Sequence, residues 1–150
     1  SSHDDLKTHE QELSLLPVTQ REVLVKARLG QGAFREGLIE YWSSCAVTEI
    51  AQADLLRASH IKPWRESSNA ERLNPYNGLL LLPQYDHLFD RGYITFDNEG
   101  KLIPSPAIDT LPADRLGIDL TARLRRIESA HGPFLKFHRE KIFFGDEAID

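Results

Sequence analysis

Two stretches decide how this chain is read: LLRASHIKPW (residues 55–64) and NPYNGLLLLPQYDHLFDRG (residues 74–92). In the first, an apolar run ends on His60. In the second, Asn77 precedes a run of leucines, Pro83 follows, and Asp86 and Asp90 come next. GLLLL reads as a buried strand. Pro83 suits the first turn of a helix, where its missing N–H has no partner to lose. That helix runs to about Asp90 and stops before Gly92. At i and i+4 its two aspartates share one helix face, where they repel unless a cation sits between them. Strand, loop, strand, helix is the organisation around His60 and Asp86.

These residue types suit phosphodiester hydrolysis. A neutral imidazole can take a proton from water near pH 7. A hard divalent cation on carboxylates and waters can relieve charge on phosphate and on a departing oxygen. His60 is the candidate base, Asn77 the residue that fixes its orientation, and Asp86 and Asp90 the candidate metal ligands. His87 projects roughly 100° away from Asp86 on the same helix, which makes it a surface residue.

Read jointly, ASHIKPW and NGLLLLPQYDHLFDRG resemble the HNH endonuclease family, in the subgroup with SHIxPW and NGLLL…FDRG typical of restriction-type nucleases. ARLGQGAFR (27–35), YWSSCAVT (41–48) and HGPFLKFHRE (131–140) extend the resemblance over roughly residues 20–143. It implies an α+β fold: a ββα-metal core with flanking N- and C-terminal helices and an extra β-hairpin. It also implies that His60 is the general base and Asn77 its support. The slot of the last motif histidine falls on Asp86, and some relatives place a second ligand four residues on, at Asp90. One divalent ion, Mg²⁺ or Mn²⁺, is implied, with products carrying 5′-phosphate and 3′-hydroxyl ends. Two departures stand out. Ser59 occupies the position before the base where many relatives carry a metal ligand. Cys45 stands alone where zinc-stapled relatives have cysteine pairs, so no structural zinc is expected.

The 150 residues suit one domain with a real core. Residues 1–18 read as a leader or linker and 19–150 as the nuclease domain. A net charge of −5 argues against binding nucleic acid by bulk electrostatics. Arg28, Gln31 and Arg35 in a basic, glycine-interrupted turn, with His138 and Arg139 near the C-terminus, are the candidate phosphate contacts. DNA is the expected partner, with target choice left to a fused or associated reader domain or to a homodimer. No apolar run is long enough to span a bilayer, and the lone cysteine fits a reducing cytoplasm. The alternatives are a non-catalytic nucleic-acid-binding module that has lost metal affinity through Ser59, an HNH nuclease acting on RNA, and a structural or protein-interaction domain in which the histidine and aspartates are incidental.

Elsewhere, Thr19 and Glu22 match a capping box opening a helix from about Gln20 to Leu29, stopped by Gly30. A second helix from about Gly32 to Ser43 carries Phe34, Leu38, Tyr41 and Trp42 at helical spacing. CAVTEI (45–50) and LLRASHI (55–61) look β-prone, and residues 62–76 a loop. YITFD-NEG-KLIPS reads as a hairpin. DLTARLRRIESAH (119–131) predicts a helix capped by Asp119. FLKFHREKIFF (134–144) is ambiguous between helix and strand.

Overall fold

A computed structural model describes residues 17–144 of the chain. Most of the expected leader, and the acidic C-terminal GDEAID, lie outside the described residues. The elements are α1 (Val18–Trp42), β1 (Arg57–His60), α2 (Asn69–Leu73), β2 (Gly78–Leu81), α3 (Pro83–Asp90), β3 (Ile94–Phe96), β4 (Leu102–Pro104) and α4 (Gly132–Lys141). β1 and β2 form one antiparallel pair, and β3 and β4 a second. The fold class is α+β, as expected. Among the described residues, no helix is long and apolar enough to cross a membrane.

The unit that positions the site is built from local signals. β2 contributes Leu79, Leu80 and Leu81, all fully buried, and Pro83 occupies the first turn of α3. Two bonds close the end of α3, Gly92 N–H to the Phe89 carbonyl at 3.2 Å and Tyr93 N–H to the Leu88 carbonyl at 2.9 Å. This is a Schellman closure, and it needs the left-handed backbone that Gly92 adopts at φ +83°. A Cβ there would lie 2.3 Å from the Ile142 carbonyl oxygen.

The β3–β4 hairpin forms where DNEG predicts it. Asp97 Oδ1 accepts from the amides of Glu99 and Lys101 at 2.8 and 2.9 Å, and Gly100 takes φ +84°.

Three expectations are corrected. First, α1 is one continuous helix through Gly30 and Gly32, where two helices were expected. Interior glycines cost about 1 kcal/mol each relative to alanine, and burial of Phe34, Leu38 and Trp42 on a single face offsets that cost. The Thr19–Glu22 box does not form, because Pro17 occupies the cap position without a side-chain bond.

Second, CAVTEI is a turn. Glu49 N–H reaches the Cys45 carbonyl at 3.1 Å and Cys45 N–H the Ile50 carbonyl at 2.8 Å. Third, DLTARLRRIESAH forms no α-helix and is helical only in the short turn Ser129–His131. Leu124 N–H bonds the Gly100 carbonyl and Arg125 N–H the Ala46 carbonyl. The Arg125 guanidinium spans the carbonyls of Trp42, Ser44 and Cys45, satisfying acceptors at the C-terminal end of α1. The ambiguous C-terminal stretch resolves as α4, and short helical turns punctuate the loop between β1 and β2.

Candidate active site

His60 ends β1 and pairs in register with Gly78 of β2. Side chains opposite each other in an antiparallel pair share a face, and α1 covers the face of these two. A Cβ on Gly78 would lie 2.5 Å from Phe34 Cζ and 2.8 Å from Leu38 Cδ2. The space a side chain would fill at position 78 holds Phe34, and the His60 imidazole stacks on the same ring. Their centroids are 3.7 Å apart and the planes 6° from parallel. His60 Nε2 lies 2.9 Å from the Arg72 carbonyl oxygen. A carbonyl only accepts, so Nε2 carries the hydrogen and the basic lone pair belongs to Nδ1. Burial pushes the His60 pKa down to about 4, so the ring is neutral at pH 7.

Asn77 is fully buried and ties the β1–β2 loop together. Its Oδ1 accepts from Lys62 N–H at 2.8 Å. Its Nδ2 donates to the Glu71 carbonyl at 3.0 Å and to Ser67 Oγ at 3.3 Å. The Ser67 hydroxyl reaches the Pro63 carbonyl at 3.0 Å. α2 opens with a capping box between Ser68 and Glu71, and Lys62 Nζ pairs with Glu71 at 3.1 Å. The Arg72 guanidinium lies 3.8 Å over the Trp64 ring, and its Nε donates to the Trp64 carbonyl at 3.0 Å. Those bonds set the Arg72 carbonyl that holds the imidazole.

Phe34, Ser67, Glu71 and Arg72 are parts of the site that the sequence reading passed over. The SxxE spacing of Ser68 and Glu71 was a legible signal. The Phe34–His60 stack had none, since 26 positions separate the two rings along the chain.

Strand alternation turns Ser59 to the opposite face from His60. Ser59 is fully buried, and its Oγ has no hydrogen-bond partner among the described residues. α3 packs against both β1 and β2. Asp86 is buried and Asp90 half-buried, one turn apart on this helix. Burial first, and the Asp86 charge second, push the Asp90 pKa up to about 6. His87 is exposed, as its helical direction predicts.

The donor set fits a hard divalent cation. Two crowded carboxylates, one of which takes up a proton near pH 6, are relieved by positive charge. Among the described residues no group of three or more His, Cys, Asp or Glu side chains converges. A cation here would therefore keep several waters, as Mg²⁺ does.

The structure draws Asn77 and the loop around His60 together, and Asp86 with Asp90. It assigns the imidazole to the face of the hairpin that α1 covers.

The candidate phosphate contacts fare differently. His138 is buried with both ring nitrogens engaged, Nδ1 at 2.7 Å from Thr95 Oγ1 and Nε2 at 2.8 Å from the Phe89 carbonyl. Arg139 braces the second hairpin through the Phe96 carbonyl at 2.9 Å and Asn98 Oδ1 at 3.0 Å. Arg35 bonds the carbonyls of Leu56 and Ala53 at 2.7 and 2.6 Å. Gln31 is buried on α1, and Arg28 is exposed on it.

Fold and site define an α+β domain with a hairpin–helix unit bearing a histidine at its strand end and two carboxylates on its helix. A family model described as HNH endonuclease matches residues 45–97, a segment holding His60, Asn77, Asp86 and Asp90. The match suggests a nuclease. HNH nucleases act on nucleic acid and generally use a divalent metal. No curated protein matches the chain.

Proposed function

We propose that this chain is a metal-dependent DNA endonuclease, the nuclease module of a restriction or other anti-phage protein, with residues 19–150 as the nuclease domain and 1–18 as a leader or linker. The carrying observation is the Asp86–Asp90 pair, set on the helix of the same hairpin–helix unit that the HNH endonuclease match covers.

In this reading neutral His60 accepts a proton from the attacking water at Nδ1 while Nε2–H stays on the Arg72 carbonyl. The phosphodiester's negative charge raises the imidazole's proton affinity as substrate arrives. Asn77 holds the loop so that the ring keeps one orientation. Asp86 and Asp90, with waters completing the shell, would hold Mg²⁺ or Mn²⁺. Bound there, the ion would supply charge relief at the phosphate and at the leaving 3′ oxygen. Cleavage leaves 5′-phosphate and 3′-hydroxyl ends. With a net charge of −5, target choice falls to a fused or associated reader domain, or to a homodimer that pairs two nicking sites.

The packing of the imidazole on Phe34 and its bond to a carbonyl favour a second reading, a nucleic-acid-binding scaffold without catalysis. Incubating supercoiled plasmid with Mn²⁺, Mg²⁺ or EDTA separates the two. Nicking that needs metal and disappears in His60→Ala and Asp86→Asn supports the nuclease. Retained DNA binding with no cutting under any metal favours the scaffold. A parallel incubation with structured RNA decides between the two nucleic acids.

A further inference from the structure

We propose that His138 is a positioning residue for the carboxylates of α3, acting from outside the matched segment; the inference rests on the metal reading of Asp86 and Asp90. Its imidazole stacks on Phe89, with centroids 3.7 Å apart and planes at 3°. Nε2–H donates to the Phe89 carbonyl at 2.8 Å, which leaves Nδ1 to accept from the Thr95 hydroxyl at 2.7 Å. His138 and Thr95 are both about fully buried, at 1% and 0% exposure. No polar atom of the ring is left for a ligand.

The acceptor matters more than the bond count. Phe89 immediately precedes Asp90, the last residue of α3. An eight-residue helix is too short to hold its final turn by propensity alone. Three backbone closures act there, Arg91 N–H to the His87 carbonyl, Gly92 N–H to that of Phe89 and Tyr93 N–H to that of Leu88. The Phe89 carbonyl thus receives both Gly92 and His138. α4 is itself pinned, because Arg139 reaches the Phe96 carbonyl and Asn98. The chain from β3 through α4 to Phe89 fixes where the last turn ends, and with it the separation of Asp86 from Asp90. Outer partners of this kind set metal affinity by orienting the ligands.

Three variants test this. His138→Phe keeps the stack and removes both hydrogen bonds. His138→Gln can return a donor to the Phe89 carbonyl. His138→Asn is too short for that carbonyl and reaches Thr95 alone. Mn²⁺ binding is read by the loss of the free-ion electron paramagnetic resonance signal, and the Arg91 and Gly92 amides by hydrogen exchange. The expected result is weakening of Mn²⁺ binding by roughly tenfold or more in the Phe and Asn variants, faster exchange of the two amides, and rescue of both by Gln. Equal behaviour of Gln and Asn overturns the proposal, as does parental binding and exchange in a folded Phe variant. Should the Phe variant not fold, the contrast between Gln and Asn decides. If the parent protein itself takes up no Mn²⁺, the metal reading falls, and the exchange rates alone then decide whether His138 holds the helix end.

Discussion

The imidazole of His60 lies flat on the phenyl ring of Phe34, 3.7 Å between centroids, so a strand-end histidine and a helix residue 26 positions earlier form one unit. The stack keeps the ring buried, and burial is the main reason its pKa falls to about 4. Phe34→Leu removes the planar contact while keeping apolar volume. We expect the His60 pKa to climb from about 4 toward 6.5, with a stability loss of about 1–2 kcal/mol. An NMR titration of the imidazole checks the first and urea unfolding the second. An unmoved titration would show that groups other than Phe34 keep the ring out of water, since the Arg72 carbonyl pushes its pKa up.

Asp90 carries the opposite strain. Its folded-state pKa is raised to about 6 from 3.8, so the folded protein gives up stability as pH rises through that window. At pH 7.5 Asp90→Asn should stabilise the metal-free protein by about 1–2 kcal/mol. The same change should remove most of the rise in melting temperature that Mg²⁺ gives the parent. Thermal unfolding of both proteins with Mg²⁺ and with EDTA measures the two effects together. An Asn variant that still gains the parental increment from Mg²⁺ would remove Asp90 from the ligand set.

How much of this was legible in the sequence depends on whether the signal was local. Pro83, Gly92 and the DNEG turn fix backbone geometry by their own stereochemistry, so β2, α3 and the second hairpin lie where the sequence puts them. The Asn77 side chain bonds groups of the loop that precedes it, Lys62, Ser67 and Glu71, all within 15 positions.

Gly30 and Gly32 mislead as helix stops. A glycine's cost is small against three aromatic or aliphatic side chains buried on one helix face, and Gly30 also faces Leu73, whose Cδ2 would lie 3.5 Å from an added Cβ. DLTARLRRIESAH misleads in the other direction. Its apolar spacing mimics a helix, yet Leu124 enters the core from an extended segment bonded to Gly100. His138 looks like a phosphate contact because its motif is basic, while its surroundings are set by residues 43 and 49 positions away.

Asn77 bonds three separate groups of the loop, the Lys62 amide, the Glu71 carbonyl and Ser67 Oγ. Asn77→Asp keeps an acceptor for Lys62 and turns a carboxylate oxygen toward the Glu71 carbonyl, two acceptors face to face in a buried site. The variant should lose about 2–4 kcal/mol at pH 7.5. Part of that loss should return at low pH, where a protonated carboxyl can donate. Asn77→Ala, with no oxygen to protonate, should lose a similar amount without recovery. Urea unfolding across pH compares them, and matching pH profiles for the two variants would argue that the amide acts through volume alone.

Two buried histidines make the fold sensitive to acid. His60 and His138 are both lowered to about 4 from 6.5, chiefly by burial. The unfolded chain therefore binds more protons than the folded one between these limits. Their contribution is whole above pH 6.5 and drains away as pH falls through the window to about 4, by up to roughly 3 kcal/mol for each ring. Asp90 works against this trend, since its raised pKa favours the folded state on the acid side of pH 6. Urea unfolding at pH 7.5 and 4.5 should show a clear loss in the parent and smaller losses in His60→Gln and His138→Gln. The double variant should be the flattest of the four. A parental loss that survives in the double variant would move the acid sensitivity to other groups, first among them His131, whose pKa burial also lowers.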